Sequence, residues 1–331
     1  MVLEEFLNEW NSDSPKVLVH TSGSTGKPKP MWVEKEKMLN SARVTCDFLG
    51  LKPGDTALLC MPLDYIAGKM VVVRAIERHM KLVCVKPSGH PLASVEATTF
   101  AAMVPLQVYN SLTVPEEKAK LMRIRHLIIG GGAIDAELAS ELRDFPNHVW
   151  STYGMTETLS HIALRRLNGP EASEWYTPFD GVEISKDEED SLVINAPLVH
   201  DGVLKTNDRV ETRTDNVTGK RQFRVLGRKD NVIDSGGIKI QIEDVERRLK
   251  PCLPMPFMIT KAPDRKFGEI VVFLYEGDSL SPDYLLDLCV KALPAYWVPK
   301  RFVNVARLPM TGTGKPARAE AERMVKTVVD K

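Results

Sequence analysis

The chain has 331 residues, 43% hydrophobic and 27% charged, which excludes a disordered or fibrous protein and leaves room for about two domains. Lys plus Arg and Asp plus Glu both number 44, so a zero formal net charge gives no bulk attraction to nucleic acid or to an anionic membrane. No apolar run reaches the length of a membrane span.

Residues 17 to 150 read as alternating strands and helices. Val17-Leu18-Val19-His20 is a short apolar run that leads into a Gly-rich stretch. Glu34 to Leu49 carries Met38, Ala42, Thr45 and Leu49 at helical spacing. Strands are expected at Thr56 to Met61 and Lys81 to Val85, with a helix at Ile66 to His79 between them. His126-Leu127-Ile128-Ile129 runs into Gly130-Gly131-Gly132, Asp135 caps a helix to Arg143, and a strand returns at Val149 to Tyr153. This alternation predicts an α/β layered domain with a largely parallel sheet.

After about residue 175 the chain becomes β-rich, with strands expected at Gly181 to Ile184, Ser191 to Asn195, Val203 to Thr206 and Gln222 to Leu226. A small α+β unit follows. It has helices at Ile242 to Leu249 and Pro282 to Ala292 and strands at Phe257 to Thr260 and Ile270 to Tyr275. The charged, Gly-containing turn Gly227 to Asn231 separates the two textures, which predicts domains at 1–226 and 232–331 with a hinge at 227–231.

The five cysteines lack metal-ligand or redox-motif spacing, and Cys84, inside Leu82-Val83-Cys84-Val85, reads as a buried thiol. An odd, scattered set fits a reducing compartment. Glu4 and Glu5 take the place of the basic region of a signal peptide. A cytoplasmic protein is expected.

Five segments carry candidate chemistry. Thr21-Ser22-Gly23-Ser24-Thr25-Gly26-Lys27-Pro28-Lys29 offers hydroxyls, loop amides and two lysines to a polyphosphate. It lacks Walker A spacing, and a Ser/Gly surface loop fits it equally well. Tyr153-Gly154-Met155-Thr156-Glu157-Thr158 ends a strand on a group able to stack a base, touch a phosphate and hold Mg²⁺. A helix start capped by Thr156 fits the same residues. Leu204-Lys205-Thr206-Asn207-Asp208-Arg209 offers a carboxylate to ribose hydroxyls, or an Asn-Asp turn. Gly227-Arg228-Lys229-Asp230-Asn231 precedes Ser235-Gly236-Gly237-Ile238, where paired glycines permit close backbone approach to a narrow ligand or form a hairpin turn. Pro309-Met310-Thr311-Gly312-Thr313-Gly314-Lys315 ends the series with a lysine near the C-terminus.

In this order and spacing, from about His20 to Lys315, the segments resemble the adenylate-forming superfamily of acyl-CoA synthetases, adenylation domains and firefly luciferase. The resemblance implies that residues 21 to 27 close over the ATP phosphates. Gly131, Gly132 and Ala133 would wall the adenine, with Tyr153 stacked on it beside Gly154. Thr156 would contact the α-phosphate, Glu157 would bind Mg²⁺ and Asp208 would hold the ribose, although the usual Thr-Gly-Asp reads Thr206-Asn207-Asp208 here. Arg228 would meet the nucleotide, Asp230 would serve as hinge, Gly236 and Gly237 would line the coenzyme A channel, and Lys315 would bridge the acyl carboxylate and the α-phosphate.

Within the superfamily the chain is most similar to short o-succinylbenzoate–CoA ligases, on Tyr153 to His161 and Gly227 to Ile240. That implies ATP, Mg²⁺ and coenzyme A as co-substrates and metal. It also implies an acyl pocket near Pro62-Leu63-Asp64-Tyr65, where the family reads Pro-Leu-Phe-His; Tyr65, Lys69, Ser160 and His161 are its candidate residues. Transfer to an amine or carrier protein, and a silent nucleotide-binding homologue, are the alternatives. Typical members carry a long segment before the phosphate loop, which begins here at residue 21. A shortened front is therefore expected, with a surface for a partner or a second copy of the chain in a homodimer.

Overall fold

The computed structural model describes residues 1–20, 30–96, 98–253, 255–277, 281–311 and 315–329. The chain begins with α1 (Leu3–Asn11), β1 (Lys16–His20), β2 (Pro30–Glu34), α2 (Lys35–Leu49), β3 (Thr56–Leu59), α3 (Ile66–Glu77) and β4 (Lys81–Cys84). It continues through β5 (Phe100–Met103), α4 (Pro105–Leu112), α5 (Pro115–Leu121), β6 (His126–Ile129), α6 (Ala136–Leu142), β7 (His148–Gly154), β8 (His161–Arg166) and β9 (Thr177–Pro178).

A seven-stranded sheet has the order β4-β3-β5-β6-β7-β8-β9, parallel from β4 to β7 and antiparallel beyond. Leu127, Ile129, Ala101 and Met103 pack one face with α4 to α6, while Ala57, Leu59, Phe100 and Ile128 pack the other with α2 and α3. Large apolar side chains buried in this way each contribute about 1.5–3 kcal/mol. The strand order reverses at β3, because the chain runs first to β4 and then back across to β5. Open α/β sheets hold ligands beside the carboxyl ends of strands at such a reversal. Residues after β3 (Pro62 to Tyr65), after β6 (Gly130 to Gly132) and after β7 (Met155 to Glu157) all follow carboxyl ends.

β1 is a strand but does not enter the parallel sheet. It pairs antiparallel with β2 alone, His20 opposite Pro30, so residues 21–29 connect the two strands. Cys84 is exposed, contrary to the buried thiol expected from its apolar neighbours, because β4 is the edge strand. Helix α2 stops at Gly50, whose φ of +63° suits a left-handed cap. Asp135 caps α6 by accepting from the Leu138 amide at 2.8 Å.

β10 (Glu183–Lys186), β11 (Ser191–Asn195), β12 (Val203–Thr214) and β13 (Arg221–Arg228) form an antiparallel sheet. It joins the first sheet where Tyr176 and Phe223 exchange backbone hydrogen bonds. After the short turn Lys229–Asn231 come β14 (Val232–Ser235), β15 (Ile238–Gln241), α7 (Ile242–Leu249), β16 (Phe257–Asp264) and β17 (Gly268–Glu276). The chain ends with α8 (Pro282–Ala292), β18 (Arg301–Val305) and α9 (Arg318–Val329). The order β15-β14-β17-β16, with β18 parallel to β17, builds the last sheet. Its core residues all lie at or beyond Ile233, and those of the earlier sheets end at Phe223.

Candidate active site

β7 carries Tyr153 to the carboxyl edge of the seven-stranded sheet. The Tyr153 hydroxyl donates to Asp208 Oδ2 at 2.6 Å, and Arg228 Nη1 donates to Asp208 Oδ1 at 3.3 Å. Both carboxylate oxygens are therefore engaged. Asp208 and Arg228 face each other in the β12–β13 register, and Thr206 Oγ1 accepts from the Asp208 amide. Burial and then the Asp208 charge push the Tyr153 phenol well above its ordinary pKa, so it remains a donor. Its ring meets Phe223 edge-on at 4.9 Å.

Lys315 reaches the same place from the far end of the chain. Burial first, and then the Arg228 charge, lower its pKa, while Asp208 opposes them. Burial also disfavours the charge on Arg228, but its hydrogen bond to Asp230 and the Asp208 field outweigh that and raise its pKa. The structure thus bonds Tyr153, Asp208 and Arg228 to one another and sets Lys315 within the fields of Arg228 and Asp208.

Gly154 fits because it has no side chain: a Cβ there would lie 2.2 Å from the Ser160 carbonyl oxygen. Thr156 to Thr158 form a single 3₁₀ turn, rather than the capped helix that the sequence also allowed. Thr156 is buried, and Glu157 is exposed and makes no ion pair among the described residues. Gly131, at φ +78°, with Gly132 and Ala133, is exposed after β6. Thr21, Ser22, Gly23, Ser24, Thr25, Gly26 and Lys27 lie outside the described residues. Their flank His20 bridges Tyr65, which places the start of that connection beside the turn before α3.

Asp230 follows directly. Asn207 Nδ2 donates to both of its carboxylate oxygens, at 3.2 and 3.1 Å, and Arg228 Nη2 donates to it at 2.9 Å. The side chain that replaces the family's glycine thus grips the expected hinge acid. Lys250 pairs with Asp135, and Arg209 bonds Gln241 at 3.2 Å, both across the two sides of that turn. Gly236 and Gly237 are not brought to this group; they form the exposed β14–β15 turn, where the Gly236 amide donates to the Phe267 carbonyl at 2.7 Å.

On the other side of Gly154, Ser160 and His161 form a buried polar cluster with Thr45 and Arg74. Arg74 Nη2 donates to Ser160 Oγ at 2.6 Å and approaches Thr45 Oγ1 at 3.4 Å. His161 Nε2 lies 3.1 Å from Thr45 Oγ1. Arg74 is 1% exposed, its Nε has no partner, and no carboxylate pairs with it among the described residues. Burial lowers its pKa to about 10, which leaves it charged at neutral pH. Burial, then the Arg74 charge, keep His161 neutral by driving its pKa well below 6.5.

Lys69 does not join this cluster, contrary to the sequence expectation. Its ammonium is covered by α1, 3.5 Å from Glu9 Oε2, 3.1 Å from Met1 Sδ and 4.6 Å from the centre of the Phe6 ring. The cation that meets Ser160 is Arg74, one and a half helical turns further along α3. Sequence reasoning missed it because Met70-Val71-Val72-Val73-Arg74-Ala75 reads as a core helix. A charge inside so apolar a run was the available signal.

A family model described as "AMP-binding enzyme" matches residues 4–195, more than half of the chain. The chain belongs to the AMP-binding enzyme family. The crystal structure of an acyl-CoA synthetase (AMP-forming)/AMP-acid ligase II-like protein from Dyadobacter fermentans is 32% identical to this AMP-binding enzyme, with a TM-score of 0.64. That match covers 97% of this chain and 92% of the other. The Bacillus subtilis o-succinylbenzoate CoA synthetase, solved with its acyl-adenylate OSB-AMP, is 26% identical with a TM-score of 0.75, over 92% of this chain and 68% of that one. The 2-succinylbenzoate–CoA ligase of Bacillus cereus (strain AH820) is 25% identical over 96% of this chain and 71% of its own length. Among the described residues, no helix of this AMP-binding enzyme is long and apolar enough to cross a membrane.

Proposed function

We propose that this chain is an ATP-dependent, AMP-forming acid–CoA ligase whose acid is o-succinylbenzoate. The observation that carries the reading is the bonded trio of Tyr153, Asp208 and Arg228 at one edge of the parallel sheet, with Lys315 near enough to feel the charges of Asp208 and Arg228. The names of its Bacillus relatives support the acid and coenzyme A. Five free cysteines fit a cytoplasmic setting.

In this reading the acid's carboxylate oxygen attacks the α-phosphorus of ATP, pyrophosphate leaves, and an acyl-AMP anhydride forms. The coenzyme A thiol then attacks the acyl carbon, and AMP leaves with the electron pair of the broken C–O bond. Crowded negative charge opposes the first step. The Lys315 ammonium, delivered half-buried beside Arg228, offsets it by preorganised electrostatics. Asp208 accepts from the ribose hydroxyls, the Tyr153 ring flanks the base, and Thr156 and residues 21–27 meet the phosphates.

Mg²⁺ takes one or two carboxylates plus phosphate oxygens, and the lone exposed Glu157 at the β7 turn suits that demand. When bound with ATP it supplies charge neutralisation on the phosphates. Residues 1–226 form the ATP- and acyl-binding domain, and 232–331 a mobile lid turning at Asp230. After that turn, Gly236 and Gly237 line the thiol's approach.

On the acyl side, the Arg74 guanidinium is the cation for the carboxylate that does not react. Its present contacts with Ser160 and Thr45 leave its charge unneutralised, and a second carboxylate is the ligand that would complete it. An acid panel assayed for pyrophosphate release, with and without coenzyme A, tests the reading. Thioester from o-succinylbenzoate, formed only with ATP and coenzyme A, is expected. Acyl-AMP without any thioester would move the acceptor to an amine or carrier protein, and no turnover with any acid would end the ligase reading.

A further inference from the structure

The backbone at Lys315 is tied to Thr311 and its neighbours. The Thr311 amide donates to the Lys315 carbonyl at 2.7 Å, the Lys315 amide donates to Thr311 Oγ1 at 3.0 Å, and Met310 bridges Pro316. Three residues further on, Arg318 opens α9. Its Nη1 and Nη2 donate to the two oxygens of Glu246, each at 2.6 Å, and Nη1 also donates to the Ile259 carbonyl at 2.8 Å. Glu246 Oε1 in turn accepts from the Ile259 amide at 2.9 Å. One planar ion pair therefore ties the start of α9 to helix α7 and edge strand β16. Its side chains are only 17% and 24% exposed, so water screens it weakly.

We infer that the Glu246–Arg318 pair is a positioning device that fixes the backbone from Lys315 to Arg318 so that Lys315 meets the acid-activating centre. This rests on the ligase reading and adds two residues to it. The helix does not depend on the pair for its attachment, because Ala321 and Val325 are fully buried in the core cluster that holds Met258 and Ala262 of β16 and Val272 and Leu274 of β17. Losing the pair therefore frees the backbone at Lys315 more than it unfolds the unit. A lysine on a loosened backbone samples many positions, and catalytic stabilisation falls steeply with misplacement of about 1 Å.

The test uses the full chain in four forms: wild type, Glu246→Gln, Arg318→Met and the double variant, each with its melting temperature. Pyrophosphate exchange should fall about 10-fold or more in kcat, with KM for ATP and acid within about 3-fold. Thioester formation from presupplied acyl-AMP should stay within about 3-fold of wild type. The double variant should be no worse than either single one, as for partners in one interaction. Glu246→Asp, which keeps the charge but shortens the reach, should recover part of the loss. Independently of turnover, brief labelling with an amine-acylating reagent should modify Lys315 faster in Glu246→Gln than in wild type, relative to the other lysines.

Folded variants with normal exchange, equal loss in both half-reactions, or unchanged Lys315 labelling would overturn the inference. Wild-type protein that shows no exchange with any acid would overturn the ligase reading instead, and the labelling result would still decide whether the pair holds Lys315 in place.

Discussion

The Arg74 guanidinium donates to Ser160 Oγ at 2.6 Å from a position 1% exposed, with no carboxylate paired to it among the described residues. Burying a charge without a counter-charge costs several kcal/mol. A protein tolerates that where a ligand supplies the missing partner. Arg74→Met should therefore melt no lower than wild type, while kcat/KM for a dicarboxylic acid falls about 10- to 100-fold. A related monocarboxylic acid should lose little. Melting curves and rates on the two acids check this, and equal losses on both would remove Arg74 from the acyl site.

Lys315→Ala should abolish acyl-AMP formation and largely spare thioester formation from acyl-AMP supplied ready-made. In the proposed mechanism this half-buried ammonium, in the fields of Arg228 and Asp208, serves the charge-crowded first step and takes no part in thiol attack. Separate assay of the two half-reactions gives the answer, and parallel loss in both would reassign the lysine.

Gly154→Ala should be among the most damaging single-methyl changes in the molecule. The added carbon would lie 2.2 Å from the Ser160 carbonyl oxygen and 2.5 Å from His161 Cα, both backbone atoms that cannot rotate aside. Overpacking of this kind costs about 1–3 kcal/mol. The turn that sets Tyr153 against Ser160 should shift with it, so both the denaturation midpoint and nucleotide affinity should fall. A variant with wild-type stability and affinity would contradict the close packing.

Acid should weaken the fold through its buried histidines. His126 stacks on His148 with ring centres 5.1 Å apart, and burial, then the charge of Arg125, lower the His126 pKa to about 4. An unfolded histidine takes its proton near 6.5. Between those values the unfolded chain binds a proton that the folded chain refuses. Stability is thus complete above about pH 6.5 and declines toward pH 4. The neutral, buried His161 adds to the loss in the same direction. Melting temperature against pH should show this slope, and His126→Gln should flatten part of it. An unchanged slope in the variant would assign the acid sensitivity elsewhere.

The regular elements were legible where local chemistry and tertiary packing agree. α2 repeats apolar residues at helical spacing up to Gly50, Asp135 caps α6, and the run from His126 to Ile129 leads into its glycines. The helix that begins at Pro282 was read, but two other helices that begin on proline were not. Pro105 and Pro115 look like breaks, yet each sits in the first turn of a helix, where a missing amide costs nothing. Of the candidate site, the meeting of Tyr153, Asp208 and Arg228 was legible because they stand in ordered motifs. The cluster around Arg74 was not, because it is assembled across space. Arg74 lies in an apolar helix, Thr45 in another and His161 at the start of a strand, and nothing local marks their meeting. Lys69 shows the converse error, since a lysine near a motif can spend its charge on a neighbouring helix.

The carboxylate of Asp208 already has a donor on each oxygen, the Tyr153 phenol on one and the Arg228 guanidinium on the other. A sugar that claims this acid must therefore evict a tenant rather than fill a vacancy. The measured affinity for a nucleoside becomes a difference between two sets of bonds, and weak binding by adenosine alone would not mean a poor site. Because Arg228 also holds Asp230, a ligand that displaced it from Asp208 would alter its grip at the other end, in the turn between the two halves of the chain.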